Sequence, residues 1–481
     1  MSDRIRRTKI VATLGPSCRR PGVLEKLIGA GVDVFRVNLS HATLAELDEW
    51  IERVRLAASV QGRTVGVLAD LQGPKLRLGE LADHQAVTLA DGAHVDITTR
   101  DIAGTAACLS TRYAALPRDV KPNDRILLAD GAVELIVNSV EGDTVRTTVL
   151  HGGTVKEHAG MNLPGIAVSS PALTEKDRVD LEHAVRVGAD FIALSFVRQP
   201  ADVIECKAAV AAAGGDTPVL AKIERPEAIE HLDEIILASD AVMVARGDLG
   251  VEMLAERVPM LQKLIIKRAG ALLKPVVTAT QMLESMVHAP RPTRAEASDV
   301  ANAIIDGTDA IMLSEETAAG EYPVESVETM VRIALETEEF FPPRVRRSPR
   351  VDTDSHAISH AACSITESID VRCVAAFTRT GFSARIVSKD RPKVPIYAFV
   401  TDEAVGRRLA LDWGVQPCLM AMAGTTDDMI AAVAAELLRR HAVAPGEAVV
   451  VVGGSPMGVR GKTNFLKIVR PGAASDEVPR S

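Results

Sequence analysis

"PVLAKIERPEAIEHLDEIILASDAVMVARGD" (residues 218–248) contains two short β-rich runs, at 218–224 and 241–248, with a longer segment between them. Each run is mostly apolar, and charged residues cluster toward its end. Short β-rich runs alternate in the same way with longer helical patterns through residues 8–340. Near-continuous apolar strands separated by helices are typical of a parallel sheet that helices cover.

The alternation provides eight strands. The β-rich runs lie at 9–15, 34–40, 65–71, 191–196, 218–224, 241–248, 275–280 and 310–314, and helical segments such as 175–188 and 323–340 follow them. Eight strand–helix units are what a closed (β/α)8 barrel requires. The sequence therefore predicts an α/β fold built on a (β/α)8 TIM barrel, formed by residues 1–73 and 171–340.

Residues 74–170 interrupt this alternation. They lack a clear helical period and carry short strand-like runs, separated by turn dipeptides such as the Asp-Gly pairs at 91–92 and 130–131. A surface loop of a barrel tolerates an insertion of this kind. We expect a small β domain, a β-barrel, inserted in the third βα loop, and we call residues 74–170 the lid domain; the role as a lid is what the family resemblance described below implies.

A second change of composition follows the eighth unit. The segment "FFPPRVRRSPR" (340–350) has the proline and charge content of an inter-domain linker. Beyond it, strand-like runs begin near residues 372, 394, 447 and 464, with helical segments between them. Residues 341–481 are predicted to form a separate C-terminal α/β domain.

Composition argues against several classes of partner. The net charge is -9 without a long basic run, which argues against nucleic acid or anionic lipid as the main partner. No apolar stretch reaches the length of about 18 residues that a spanning helix needs, and the N-terminal segment has no secretory h-region. The six cysteines are scattered without a C-x-x-C pair, as expected of reduced thiols. We expect a cytoplasmic protein with no nucleic-acid and no membrane partner.

One small cluster hints at a different metal site. His356, His360 and Cys363 could share one helix face. The alanine and isoleucine residues around them favour an ordinary amphipathic helix instead. The expectation at this position is a structural helix without a metal.

Polar side chains stand where the predicted barrel strands end. In a (β/α)8 barrel the C-terminal strand ends and the loops after them build the face that carries the active site. The candidates at these ends are Arg36, Asn38, Ser40, His41, Asp70, Ser195, Lys222, Glu224, Arg246, Gly247, Asp248, Thr280, Ser314, Glu315 and Glu316. Polar residues inside a barrel can simply satisfy one another, and for any single position that alternative stays open. It explains the whole set poorly, because nearly every strand ends in an ionisable or hydroxyl group.

Four of these residues indicate phosphoryl transfer. Glu224 and Asp248 offer hard carboxylate oxygens on adjacent strands, which suit Mg2+ with substrate oxygens completing its coordination. Lys222 and Arg36 add cations for a phosphoryl group. Phosphoryl transfer depends on positioning and charge neutralisation, which this combination supplies.

A second anion site is suggested in the C-terminal domain. The stretch "TRTGFSAR" (378–385) follows a strand and begins a helix. The backbone N–H groups around Gly381, the helix N-terminus and the hydroxyls of Thr378, Thr380 and Ser383 could hold a phosphate. A capped βα turn without a ligand explains the same residues equally well.

Taken together, the motifs resemble one family, pyruvate kinase, over essentially the whole chain. The stretches that carry the resemblance are "TKIVATLGPS", "RVNLSH", "DLQGPKLR", "NLPG", "AKIE", "VARGDLGVE", "KPVVTATQMLESM" and "PRPTRAEASDVANAIIDGTDAIMLSEETAAGEYPVE", in that order. The run from 274 to 325 is the most specific of them. The resemblance implies a barrel with an inserted β domain and a C-terminal α/β domain, which is the architecture predicted above.

The resemblance also implies an activity: transfer of the phosphoryl group of phosphoenolpyruvate to ADP, giving ATP and, after protonation of enolpyruvate, pyruvate, as the last step of glycolysis. Lys222 matches the lysine that touches the transferring phosphoryl group, and Arg36 matches a phosphate-binding arginine. Glu224 and Asp248 match the ligands of the divalent metal, Mg2+ or Mn2+. Gly247, Asp248 and Thr280 match contacts to the substrate carboxylate.

Further roles carry over in the same way. Thr280, through a water and Ser314, matches the protonation path, while Asn38, His41 and Arg77 match residues on the nucleotide side. The family usually forms tetramers, so a homotetramer is expected here. Its C-terminal domain often carries an effector site, and Thr378, Thr380, Gly381 and Ser383 fall where sugar phosphates bind in several members. A sugar phosphate or AMP is therefore the expected class of effector.

One motif departs from the family pattern. Many members need K+, held by side chains that match Asn38, Ser40 and Asp70 together with a threonine, and read Asp-Thr-Lys-Gly-Pro-Glu where this chain reads "DLQGPK" (70–75). Leu71 replaces the threonine, Gln72 the lysine and Lys75 the glutamate. The hypothesis is that the Lys75 ammonium supplies the charge of K+ and makes the enzyme K+-independent. The alternative is a surface lysine in a turn.

Two rival functions remain to be weighed. Another barrel that binds pyruvate or enolpyruvate through Mg2+, such as an aldolase or a phosphoenolpyruvate mutase, would lack the lid domain, Arg36 and the nucleotide-side residues. A non-catalytic regulatory paralogue would be expected to lack Lys222, Glu224 or Asp248, and all three are present. Both rivals would fail to form pyruvate in an ADP-dependent manner.

Overall fold

A computed structural model describes residues 4–166, 168–342, 353–421, 424–454 and 463–473, and most of the predicted linker at 340–350 lies outside these ranges. The chain begins with three strands, β1 (Lys9–Thr13), β2 (Val34–Asn38) and β3 (Gly66–Asp70), and two helices, α1 (Val23–Ala30) and α2 (Leu44–Val60). Helix α2 starts at a capping box, in which the Thr43 hydroxyl accepts the Glu46 amide and the Glu46 carboxylate accepts the Thr43 amide. A 3-10 turn at Pro16–Arg19 follows β1.

The lid domain follows β3. It contains β4 (Val87–Leu89), β5 (His94–Thr98), β6 (Cys108–Ser110), helix α3 (Leu116–Asp119), β7 (Arg125–Leu128), β8 (Val133–Glu141), β9 (Thr144–His151), β10 (Gly153–Val155) and β11 (Met161–Asn162), with a 3-10 turn at Ala82–His84. Its buried apolar residues form a core of their own. Short alternating strands around one small core account for the lack of helical periodicity in the sequence.

The strands of the lid domain form two groups. Six strands pair in the order β11-β7-β8-β9-β5-β6, while β4 and β10 pair with each other. The segment that enters the lid passes between the edges β6 and β11 and bridges to both, Leu78 to Thr111 and Arg77 to Gly160. Its backbone also exchanges hydrogen bonds with both edges: the Leu78 amide donates to the Ala159 carbonyl at 3.0 Å and the Gly79 amide to the Ser110 carbonyl at 2.7 Å.

The second part of the barrel contains β12 (Phe191–Leu194), β13 (Val219–Ile223), β14 (Ala241–Ala245), β15 (Val276–Ala279) and β16 (Ala310–Leu313). Its helices are α4 (Glu175–Arg186), α5 (Pro200–Ala212), α6 (Pro226–Glu230), α7 (Leu232–Ala238), α8 (Arg246–Glu252), α9 (Val258–Ala271), α10 (Arg294–Asp306), α11 (Glu315–Ala318) and α12 (Pro323–Phe340). Further 3-10 turns lie at Ala255–Arg257 and Glu284–Val287.

These strands close into one parallel barrel in the order β1-β16-β15-β14-β13-β12-β3-β2, which confirms the predicted (β/α)8 fold. One apolar core lies between the strands and the surrounding helices. A second core fills the barrel interior and includes Ala410 and Leu411 from the C-terminal domain. Hydrophobic side chains on both faces explain why the strands read as continuous apolar runs.

The N-terminal end of the barrel shows a fourfold repeat. Asp33, Asp190, Asp240 and Asp309 each come directly before the second, fourth, sixth or eighth strand. Their carboxylates accept the backbone amides of Ile10, Val67, Val219 and Val276, respectively, at 2.8–2.9 Å. Each aspartate therefore satisfies an amide at the start of the preceding barrel strand.

The C-terminal domain is a separate α/β sheet, as predicted. It contains α13 (Asp354–Ser368), β17 (Val371–Phe377), α14 (Phe382–Asp390), β18 (Ile396–Val400), α15 (Glu403–Leu409), β19 (Val415–Leu419), α16 (Thr426–Arg439), β20 (Ala448–Gly453) and β21 (Phe465–Val469). The strand order is β19-β18-β17-β20-β21, with β21 antiparallel. Among the described residues, no helix has the length and apolar character needed to cross a membrane.

Buried charges attach this domain to the N-terminal end of the barrel. Lys389 lies 2.7 Å and Arg391 2.9 Å from the Asp309 carboxylate, and all three side chains are almost fully buried. Arg407 lies 2.8 Å from Asp190, and the Lys9 ammonium donates to the Val415 carbonyl at 2.5 Å. The opposite, C-terminal end of the barrel is left to the lid domain.

Candidate active site

The ends of β2, β3, β12 and β13 bring oppositely charged side chains together. Arg36 lies 2.6 Å from the Asp70 carboxylate, and the Lys222 ammonium lies 3.4 Å from Asp70 and 2.8 Å from Glu224. Lys222 also donates to Ser195 Oγ at 2.7 Å, and Ser195 donates to the Leu71 carbonyl at 2.8 Å. Ser195 had no predicted role beyond its place at a strand end, and here it helps to orient the lysine.

Burial strengthens the interactions within this cluster. Burial alone raises the pKa of Asp70, but Lys222 and Arg36 outweigh it and hold the pKa below its usual range. Burial lowers the pKa of Lys222, and Asp70 and Glu224 outweigh it and raise that pKa. Both groups therefore stay charged at neutral pH, and the two cations are held without screening by water.

Glu224 differs from Asp70 in that its surroundings raise its pKa instead of lowering it. Its side chain is fully buried, one carboxylate oxygen accepts the Phe196 amide at 2.7 Å, and the other lies 2.8 Å from the Lys222 ammonium. Burial, followed by the charge of Asp248, raises its pKa, although Lys222 opposes the shift. Two carboxylates close enough to repel each other fit a divalent cation such as Mg2+, which would offset both charges.

The alternative metal site on α13 finds no support. Among the described residues, no three or more His, Cys, Asp or Glu side chains are grouped to hold a metal ion. Cys363 is fully buried in the apolar core of the C-terminal domain, and His360 lies 3.6 Å from Asp390. Cys363 therefore packs in the core of this domain, and His360 lies beside an acidic partner.

Helix α8 presents Gly247 and Asp248 directly after β14. The Gly247 amide donates to Thr280 Oγ1 at 2.8 Å, and Thr280 has a left-handed φ of 69°. Arg246 is buried and donates to the Thr280 carbonyl at 2.6 Å, and it pairs with Asp299 at 2.6 Å. Arg246 therefore anchors the helix, and Gly247 lies against Thr280, with Asp248 next in the chain. In this arrangement the Gly247 amide donates to Thr280 itself.

Ser314 follows β16. Its amide donates to Glu316 at 2.7 Å, and its hydroxyl is buried without a hydrogen-bond partner among the described residues. Glu316 also accepts the Leu283 amide at 3.0 Å, and burial raises its pKa. Glu316 joins the loops after the last two barrel strands, whereas Glu315 is exposed to solvent.

The nucleotide-side residues lie between the barrel and the lid. Asn38 Oδ1 accepts the Ser40 amide at 3.1 Å, and His41 is exposed to solvent. Burial, then the charges of Arg77, Lys75 and Arg36, lower the pKa of His41. Arg77 itself donates to the His158 carbonyl of the lid at 2.9 Å. The lid thus brings cationic charge near the end of β2.

Lys75 and Leu71 lie where the chain leaves the barrel. Leu71 is fully buried in the barrel core, and Lys75 is half-buried. Lys75 lines a cavity together with Phe196, Asp248 and Glu252. Its ammonium forms no ion pair with the described residues. This placement on the substrate side argues against a plain surface lysine.

The candidate effector residues surround the start of α14. Gly381 has a left-handed φ of 83° at the N-cap, next to the exposed Thr380 and the half-buried Thr378. Ser383 is buried, and its hydroxyl lies 2.7 Å from Thr463 Oγ1. The hydroxyl of Ser383 therefore already has a partner, and the phosphate-binding role of this turn stays a prediction.

Sequence reasoning missed two residues that join the lid to the barrel. Arg225 and Glu252 form a buried ion pair at 2.8 Å. Each stands within a few residues of a predicted metal ligand, but nothing in the spacing indicates that the two side chains meet. The only available signal was a pair of opposite charges near two strand ends.

Comparison with known proteins covers nearly the whole chain. Residues 5–327 match the family model for the pyruvate kinase barrel domain, and residues 356–469 match that for the pyruvate kinase alpha/beta domain. The chain is 46% identical over 469 residues to the pyruvate kinase of Mycobacterium tuberculosis, which covers 97% of this chain and 99% of that protein. It is 45% identical over 471 residues to the pyruvate kinase of Geobacillus stearothermophilus, covering 96% and 80% respectively.

A solved structure agrees with both domains. A pyruvate kinase from Cryptosporidium parvum superimposes with a TM-score of 0.91 at 34% identity, covering 97% of this chain and 96% of that chain. Both family models, the full-length relatives and the shared fold lead to one assignment. The chain belongs to the pyruvate kinase family and is a kinase that catalyses phosphoryl transfer.

Proposed function

We propose that the cluster at the C-terminal end of the barrel transfers the phosphoryl group of phosphoenolpyruvate to ADP. The bond between phosphorus and the enol oxygen breaks, a bond to a terminal ADP oxygen forms, and enolpyruvate gains a proton at its methylene carbon to give pyruvate. The observation that carries the proposal is the buried group of Arg36, Asp70, Lys222 and Glu224, with two cations directed at one region. We place the reaction in the cytoplasm, as the last step of glycolysis.

In this proposal, Lys222 and Arg36 hold the phosphoryl group and offset the charge that develops during transfer. Both are catalytic residues, because they touch the reacting group. Asp70 and Ser195 position them through the contacts at 2.6 Å and 2.7 Å. A preorganised cation in a buried site needs little rearrangement during the reaction, which is the source of its effect.

Glu224 and Asp248 are the proposed metal ligands. Mg2+, or Mn2+ in its place, would neutralise charge on phosphoryl and enolate oxygens when bound. The burial of Glu224 and the nearby charge of Asp248 support this role, since a divalent cation would offset both carboxylates.

Gly247, Asp248 and Thr280 are proposed to bind the carboxylate of the substrate. Thr280 Oγ1 lies within hydrogen-bond distance of the Gly247 amide, so a bound carboxylate would exchange partners with it. We assign the proton path to Thr280, acting through water and Ser314, whose buried hydroxyl has no partner among the described residues.

ADP is proposed to bind between the barrel and the lid domain, at Asn38, His41 and Arg77. Lid closure would then exclude water, which would otherwise hydrolyse phosphoenolpyruvate. The cations that lower the pKa of His41 support an anion on this side.

A coupled assay with lactate dehydrogenase tests the function. We expect ADP-dependent formation of pyruvate from phosphoenolpyruvate with Mg2+. An aldolase or a phosphoenolpyruvate mutase would show no dependence on ADP, and a non-catalytic paralogue would form no pyruvate at all. Either result would contradict the proposal.

We further propose that the enzyme does not require K+, because the Lys75 ammonium supplies that charge to the pocket of Asn38, Ser40 and Asp70. Activity should persist when tetramethylammonium replaces K+, and loss of most activity would overturn this part. Lys75→Glu combined with Leu71→Thr should make activity K+-dependent. Lys121→Glu makes the same charge change on the exposed surface of the lid domain and is the matched control.

Regulation and assembly complete the proposal. We propose a homotetramer with a phosphate-binding effector site at Thr378, Thr380, Gly381 and Ser383. Light scattering would give the mass of the assembly, and titration with a panel of sugar phosphates and AMP would identify an effector. Absence of any response to that panel would remove the effector site from the proposal.

A further inference from the structure

Arg225 and Glu252 join three parts of the molecule. Arg225 follows the metal-ligand candidate Glu224 directly, and Glu252 is the last residue of α8. Arg225 Nη1 lies 2.8 Å from Glu252 Oε1, and the two side chains are only 6% and 1% exposed. Water therefore competes little for this ion pair.

The same pair holds the segment by which the lid domain returns to the barrel. Arg225 Nη2 donates to the Ile166 carbonyl at 2.8 Å. Asn162, on β11, donates through its side-chain amide to Glu252 Oε1 at 2.9 Å. The lid is thus held at two points by one buried ion pair.

The other end of α8 has an independent anchor. Arg246 binds the Thr280 carbonyl and Asp299, and the Gly247 amide binds Thr280. Loss of the pair at the end of α8 would therefore leave Gly247 and Asp248 in place while it removes the contacts at Asn162 and Ile166 that hold the lid. The cavity lined by Lys75, Asn162, Arg225, Asp248 and Glu252 lies beside this junction.

A buried ion pair contributes little net stability, because the cost of removing both charges from water offsets their attraction. Its contacts to two lid residues suggest another role. Building on the proposed function, we propose that Arg225 and Glu252 are positioning residues that fix the lid domain over the phosphoryl-transfer site. They set how ADP is held and leave the binding of phosphoenolpyruvate nearly unchanged.

Steady-state kinetics of Arg225→Met, Glu252→Gln and the double variant test this role. We expect kcat/KM for ADP to fall about tenfold, on the scale of a small misplacement of a reacting group, while KM for phosphoenolpyruvate stays within about twofold. The effects of the single variants should not add in the double variant, since both break one contact. Arg225→Lys, which keeps the charge, should recover part of the loss.

Thermal unfolding separates positioning from stability. Arg225→Met leaves the buried Glu252 carboxylate without this cation, and Glu252→Gln leaves Arg225 with Glu227 at 3.2 Å, so each should lower Tm. The double variant removes both buried charges and should regain most of the lost Tm. The double variant should nevertheless keep its defect toward ADP. Hydrogen exchange should accelerate at the amides of residues 161–166 and stay unchanged in the barrel strands.

Arg55→Met is the matched control. Arg55 also combines a carboxylate partner, Asp190 at 2.7 Å, with a backbone carbonyl, Val65 at 3.0 Å, but lies at the N-terminal end of the barrel. It should leave KM for ADP unchanged. Equal losses toward both substrates, or a double variant that regains activity together with Tm, would overturn the inference. A wild-type enzyme without ADP-dependent activity would instead overturn the proposed function.

Discussion

The two ends of the barrel both bury ion pairs, but they arrange them differently. At the N-terminal end, one aspartate stands before every second strand and accepts an amide of the preceding barrel strand. Among the described residues the C-terminal end shows no such repeat, since Asp70 is shared by Arg36 and Lys222, and Lys222 is shared by Asp70 and Glu224. The repeated arrangement serves the fold, and we assign the side chains that break the symmetry to the proposed reaction.

The largest expected effect concerns activity at the C-terminal end. Lys222→Met removes the cation that Asp70 and Glu224 share and should lower kcat on the order of 1000-fold, as loss of a preorganised electrostatic contact does. The coupled pyruvate assay measures it. Lys207→Met is the control, because Lys207 pairs with Asp240 at 2.9 Å at the other end of the barrel. An equal loss of kcat in Lys222→Met and Lys207→Met would contradict the assignment of the reaction to the C-terminal end of the barrel.

The next effect concerns stability at the N-terminal end. Asp309→Asn leaves Lys389 and Arg391 buried without their carboxylate, which should lower the free energy of unfolding by about 3–5 kcal/mol. Denaturant unfolding measures this, and kcat at 25 °C should stay within about twofold. In the control Asp240→Asn the partner is partly exposed, so the change should be clearly smaller. Similar losses of unfolding free energy in Asp309→Asn and Asp240→Asn would argue against unpaired buried charge as the cause of the loss.

A smaller effect is expected on how stability depends on pH. Burial alone raises the pKa of Asp309, but Lys389 and Arg391 outweigh it and lower that pKa. A carboxylate with a lowered folded-state pKa contributes stability that is present above the unfolded value of about 3.9 and is lost as pH falls toward the folded-state value. The unfolding midpoint should change little from neutral pH to about 5 and fall below about 4. Asp309→Asn should flatten this acid limb, and an unchanged limb would exclude Asp309 from it.

The sequence predicted those features of the two barrel ends that depend on the local pattern of apolar and polar residues. Apolar β-rich runs located the eight strands, and the polar residues at their ends located Lys222 and Glu224. It did not predict that Lys389 and Arg391 bind Asp309, because that contact joins residues about 80 positions apart and depends on how two domains dock. For the same reason it missed Arg225 with Glu252.

The lid domain was harder to predict than the barrel. Short antiparallel strands of similar composition can pair in several orders, and local pattern does not distinguish them. The sequence therefore indicated a small β-barrel but not the order of its strands, nor that residues 77 and 78 bridge the edge strands β6 and β11. A parallel barrel allows fewer strand orders, because its helical connections place consecutive strands side by side.

The smallest effect concerns the charge that the lid adds to the reactive end. Burial and the nearby cations Arg77, Lys75 and Arg36 lower the pKa of His41, since a positive charge disfavours the imidazolium form. Lys75→Met should therefore raise the pKa of His41 toward its ordinary value of about 6.5, as measured by NMR titration of the ring protons. Lys121→Met, on the exposed surface of the lid domain, should leave it unchanged. An unaltered His41 in Lys75→Met would place the Lys75 ammonium away from the end of β2, and the proposed replacement of K+ would lose its physical basis even if the enzyme worked without that ion.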